Sequence, residues 1–106
     1  MTTGTDTAWV RDLWQRVRPH ALAQATELEQ QVRACAHTPQ GNVRQQVAAD
    51  IAHRLSGSLG SYGLHEGSRL AVDIQRRLRH GRVDEGRDGA SAATLATQLR
   101  RTIERS

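Results

Sequence analysis

The chain has 106 residues, 37% hydrophobic, 25% charged and only 3% aromatic, with Phe absent. At that length roughly two-thirds of the unfolded surface can be buried, which suits one core and one domain over residues 1–106. Scarce aromatic and β-branched side chains argue against a β-sandwich, and abundant Ala, Leu, Gln and Arg favour helices. The formal charge is +4, with all fifteen basic residues arginine, and this excess is spread too evenly to choose among nucleic acid, an acidic membrane and an acidic protein.

Cys35 stands alone, so no internal disulfide forms. No basic segment leads into an apolar one at the N-terminus, and no run approaches the roughly 18 apolar residues that a membrane span needs. A cytoplasmic, monomeric protein is expected.

The first helix is expected after Thr5, Asp6 and Thr7, whose side chains can cap free amides. It carries Trp9, Val10, Leu13, Trp14 and Val17 at helical spacing. Arg18-Pro19 predicts its end, because the residue before a proline is steered out of the helical region. Pro19 then suits the first turn of a second helix, with an apolar stripe of Leu22, Ala25, Leu28, Val32 and Cys35 or Ala36. On that stripe Cys35 reads as a core residue. Thr38-Pro39 predicts the start of a third helix running to about Tyr62, the longest of the set. A fourth, from about Leu64 to His80, turns Leu64, Leu70, Ala71, Ile74 and Leu78 inward. It ends in a cationic turn of Arg76, Arg77, Arg79 and His80 before Gly81. The polar segment Gly81–Gly89 reads as a loop, after which Asp88 or Ser91 caps a last helix with Ala92, Leu95, Leu99 and Ile103 inside. The whole is an all-α antiparallel four-helix bundle with a short additional N-terminal helix and a core hairpin over about 39–80.

The third helix carries the functional signal. With His53 set at zero and about 100° per residue, Val47, Ala48, Ile51, Leu55, Leu59 and Tyr62 gather near the opposite pole. Around His53 lie Asn42, Gln46, Ala49, Ser56, Gly57 and Gly60, with Asp50 at the edge, all small or polar. This puts His53 in the middle of a solvent face. Gly57 and Gly60 each cost about 1 kcal/mol relative to Ala inside a helix. Their absent side chains leave room for another molecule beside the imidazole. The competing reading is that Gly57–Gly63 unwinds into a loop. Gly63 reads as a helix stop.

Ala52-His53-Arg54-Leu55-Ser56-Gly57-Ser58, followed by Gly63 and by Leu70-Ala71 and Ile74, resembles the signature of histidine-containing phosphotransfer (HPt) domains. That pattern is His-x-Leu-x-Gly on a long helix, then a Gly and a second amphipathic helix. The resemblance covers roughly residues 43–79. It implies a phosphorelay carrier in which His53 accepts a phosphoryl group from the phospho-aspartate of a receiver domain and passes it to another receiver. Imidazole ordinarily titrates near neutrality, so a neutral, nucleophilic fraction is present at pH 7. In-line transfer needs mainly positioning and charge neutralisation. The receiver, part of a response regulator or hybrid histidine kinase, brings the acidic pocket and Mg²⁺, so no cofactor or metal site is expected here. Such a domain is a phosphocarrier rather than a stand-alone enzyme. Gln46, Ala49, Asp50, Arg54, Ser56, Gly57 and Gly60 form the expected docking face.

One position departs from the family's pattern: where many members carry a Lys three residues after the His, this chain has Ser56. Arg54 is about 100° round the helix and can reach the site only by folding back. The departure keeps open a second reading, an inert HPt-like module that docks a receiver or kinase without being phosphorylated. A nucleic-acid-binding bundle ranks last, because Arg69, Arg76, Arg77, Arg79 and Arg82 cluster near a helix end with no interleaved aromatic. His20, His37, His65 and His80 have no metal-ligand spacing.

Overall fold

The computed structural model describes residues 3–35, 43–79 and 91–106. These form four helices, α1 (Thr3–Cys35), α2 (Val43–Ser61), α3 (His65–Arg79) and α4 (Ala92–Arg105), with no strand among them. Each helix packs against its neighbour in the chain, and α4 closes back on α1. The expected helix start at Thr38-Pro39, the Gly81 stop, the Gly81–Gly89 loop and the Asp88 cap lie outside the described residues.

The apolar stripes meet in one core. Ala25, Leu28 and Val32 of α1, Leu55 and Leu59 of α2, Ile74 of α3, and Leu99 and Ile103 of α4 are buried almost completely. Cys35 is buried in the same cluster, where desolvation pushes its thiol up, partly offset by the charge of Arg44. At one end of the bundle the Trp14 ring meets Tyr62 with centroids 5.4 Å apart.

Two expectations about the helices are corrected. There is no separate N-terminal helix: α1 runs unbroken through Pro19 for 33 residues, so α1 rather than α2 is the longest element. Proline lacks the N–H that would bond the Gln15 carbonyl and disfavours a helical residue before it. Here both are outweighed by ties to the C-terminal end of α4. Trp14 Nε1 donates to Ser106 Oγ (3.1 Å), Gln15 Nε2 to the Ser106 carbonyl (3.4 Å), and Arg18 to the carbonyls of Ile103 (Nε, 3.1 Å) and Glu104. Pro19 itself faces solvent, so water can reach the carbonyl it leaves free.

Val47 is likewise not in the core, being 40% exposed, whereas Ala48, Ile51, Leu55 and Leu59 are buried and Tyr62 is partly buried. The α2–α3 turn ends α2 as the glycine predicts. Gly63 takes φ +77°, the Leu64 N–H bonds the Leu59 carbonyl (2.9 Å), and the Gly63 N–H bonds the Gly60 carbonyl (3.1 Å). This six-to-one and five-to-two pair is a Schellman stop, closed by Leu64 against the core. Ser91 caps α4, its Oγ accepting from the Thr94 N–H at 3.2 Å. A polar clasp joins α1 to α4: Glu29 accepts from Thr97 Oγ1 (2.5 Å) and Arg100 Nε (2.9 Å), and Arg100 also pairs with Glu104 (2.9 Å).

Candidate functional site

Helix α2 stays helical through Gly57 and Gly60, so the unwound reading of this segment does not hold. Its buried arc is lopsided. From Ile51 it runs through Leu55, Ala48, Leu59 and Ala52 to Gln45 and Ala49, and these last two lie only about 80° and 40° from His53 at 100° per residue. Helix α3 covers that flank. Gln45, 5% exposed, donates Nε2 to the Leu78 carbonyl at 2.6 Å, serving an acceptor in the last turn of α3.

His53 is therefore exposed not at the centre of an open face but at its edge, along the α2–α3 seam. Ala49, expected on the docking face, is 5% exposed and belongs to the core, because α3 packs over it. Gln46, Asp50, Arg54, Gly57 and Gly60 are exposed, with Gln46, Asp50 and Gly57 on the side of His53 away from α3. A β-carbon placed on Gly57 would meet nothing within 4 Å, and one on Gly60 would meet the Ser68 side chain, with Oγ at 3.4 Å and Cβ at 4.0 Å. No internal packing demands either glycine.

Ser56 lies on the α3 side and is half-buried. Its hydroxyl donates to the His53 carbonyl at 2.7 Å, while Ser68 Oγ of α3 donates to the Ser56 carbonyl at 2.8 Å. A hydroxyl has one proton, and that of Ser56 is already engaged with the backbone. It does not replace a lysine.

Gln75 of α3, which the sequence reading did not single out, comes to the imidazole, and Arg79, read there only as part of a cationic helix end, comes to Gln75. The Gln75 amide lies 3.4 Å from His53 Nδ1. The end of the amide that meets His53 also meets Arg79, and a guanidinium can only donate, so that end is the oxygen. In this orientation Gln75 Oε1 accepts from Arg79 Nη2 (3.0 Å) and Nε (3.1 Å). Gln75 and Arg79 are four apart on α3, hence on one face. Their polar, solvent-side placement was readable from periodicity. Their register against His53 depends on how α2 and α3 pack.

Among the described residues no three His, Cys, Asp or Glu side chains gather to hold a metal ion, and no helix is long and apolar enough to cross a membrane. The site thus consists of one exposed imidazole on a packed helix, open on one flank and braced by a glutamine on the other.

No curated protein and no solved structure matches the chain. The family model described as "Hpt domain" matches residues 12–106. That match takes in most of α1, the whole of the other three helices, the His53 motif and the α3 residues facing it, and so the chain belongs to the Hpt domain family, the phosphotransfer modules of two-component signalling.

Proposed function

We propose that His53 is the phosphoacceptor of a phosphorelay, taking a phosphoryl group from the phospho-aspartate of a receiver domain and handing it to a second receiver. The observation that carries this reading is the exposed imidazole beside Gly57, where the domain itself fills none of the space a partner needs. In the transfer a ring nitrogen attacks phosphorus, the bond from phosphorus to the carboxylate oxygen breaks, and the electron pair leaves with the carboxylate. Reversal toward another receiver uses the same geometry. The receiver supplies Mg²⁺ and the acidic pocket, and this domain supplies a nucleophile held on a rigid helix. Gln46, Asp50, Arg54, Gly57 and Gly60 contribute the docking surface. The expected setting is cytoplasmic, with the domain acting as a monomer.

A second reading, an inert docking module, draws on Ser56: the usual lysine is absent and the serine hydroxyl is turned to the backbone. One experiment separates the two. Purified protein and a His53→Gln variant are incubated with phosphorylated receiver domains from the same organism. An acid-labile, base-stable label on the wild type that is missing from the variant supports the carrier. Receivers that bind both proteins tightly and label neither support the docking module.

A further inference from the structure

We infer that Asp50 is an anionic neighbour that destabilises phospho-His53, so that the domain passes its phosphoryl group on rather than storing it. This deepens the carrier reading and rests on His53 being the phosphoacceptor, whereas the repulsion of an anion at the ring does not.

The argument starts from helix geometry. Asp50 precedes His53 by three residues on α2, so the two side chains are neighbours, with β-carbons about 5–6 Å apart. Cα–Cβ bonds in a helix tilt toward its N-terminus, and the imidazole therefore leans over the turn that holds Asp50. Asp50 also lies about 60° from His53 on the open flank, the side left to an incoming phosphoryl group because α3 covers the other. Of its companions there, Gln46 is neutral and Gly57 has no side chain.

No cation of the described residues meets this charge. Asp50 is exposed, and the ion pairs join Arg33, Arg100, Glu29 and Glu104 on α1 and α4. Arg54 follows Asp50 by four residues, the favourable order for an acid and a base on a helix, yet no ion pair joins the two. Ser56 brings a hydroxyl already bonded to the His53 carbonyl, and Arg79 is turned to Gln75. A neutral imidazole feels this carboxylate little. A phosphorylated one carries up to two negative charges beside it and is repelled.

Asp50 forms no bond and moves no proton in this account. In the discharge step a carboxylate oxygen of the receiver bonds to phosphorus, the N–P bond breaks with its electron pair on the ring nitrogen, and the negative charge departs with the phosphoryl group. The repulsion is relieved as the group leaves, which favours transfer from His53 to the receiver over the reverse.

Two measurements on wild type and Asp50→Asn test this, at an exposed position where Asn keeps the size of the side chain. The first modifies the ring without a receiver, above the pH at which imidazole titrates. Phosphoramidate, an anion, and diethyl pyrocarbonate, which is neutral, are reacted separately, with a His53→Gln blank subtracting the other histidines. With phosphoramidate the ring lone pair forms the N–P bond, and ammonia leaves with the pair of the bond that breaks. The ratio of the two rates cancels any change in ring reactivity or in the fold. In Asp50→Asn it is expected to rise about twofold to threefold at low ionic strength and to return to the wild-type value in about 1 M salt. The second measurement is the equilibrium share of phosphoryl label between His53 and a receiver, at concentrations too low for a lasting complex. In Asp50→Asn it should move toward His53 by about fivefold at low ionic strength. A rate ratio that the substitution leaves unchanged, or changes equally in high salt, overturns the inference. So does an unmoved equilibrium with a receiver that exchanges. If no receiver labels His53 while the rate ratio shifts as expected, the carrier reading falls and the repulsion stands.

Discussion

At Gly57 a methyl group would touch no atom of the domain within 4 Å, although the position lies in mid-helix one turn beyond His53. Gly57→Ala is therefore expected to raise stability by about 1 kcal/mol, through helix propensity alone, and to shift the urea midpoint upward. The same substitution should slow phosphoryl exchange with a receiver, because the methyl occupies space meant for the partner. A more stable variant with unchanged transfer would show that the open flank is not where the partner docks. His53, Gly57 and the inward Leu55 were legible in the sequence because their meaning is local to one helix. Ala49 was misplaced for a physical reason. A helical wheel treats the two sides of His53 alike, and only the packing of α3 makes one of them interior. Gln75 and Arg79 stayed hidden for the same cause, since their relation to His53 is a matter of register between helices.

For single elements, Pro19 shows how far tertiary ties override local preference. The sequence predicts a break at Arg18-Pro19, yet α1 continues through it, with four side-chain hydrogen bonds from Trp14, Gln15 and Arg18 to the last residues of α4. Pro19→Ala restores an N–H for the Gln15 carbonyl and removes the ring clash. A gain of up to about 3 kcal/mol is expected, measured by thermal or urea unfolding. A loss would mean that the proline's restricted unfolded chain matters more than the missing bond. At the other end of the chain the local signal was sufficient: Ser91 caps α4, and Ser91→Ala is expected to cost about 1 kcal/mol. Caps and glycine stops were readable because they depend on a few adjacent residues.

Across the whole molecule, the pair α2–α3 presents the site, while the pair α1–α4 carries the polar clasp around Glu29. Burial alone would push the Glu29 carboxyl up, but hydrogen bonds from Thr97 and Arg100, the charge of Arg100 and a bond from Arg33 outweigh it and hold the group below its ordinary 4.5. A carboxylate depressed in this way stabilises the fold fully above that ordinary value and ceases to do so as pH falls through the lower, folded one. Wild type should therefore lose stability on acidification below pH 4.5 more steeply than Glu29→Gln, the two converging in strong acid. Urea midpoints followed from neutral to acid pH test this, and parallel curves would rule out a role for the clasp. The clasp lies on helices other than those bearing His53, so the substitution is expected to leave phosphotransfer at neutral pH intact.

The contact between Trp14 and Tyr62 gives the molecule an optical property. Tyr62 is its sole tyrosine, and it lies about 13 Å along α2 from His53. Light absorbed by that phenol passes readily to the indole beside it. With Trp9 changed to Phe, one buried emitter remains, excited partly through one neighbouring ring. Its brightness then reports whether that end of the bundle stays closed while a phosphoryl group arrives and departs, with no dye attached.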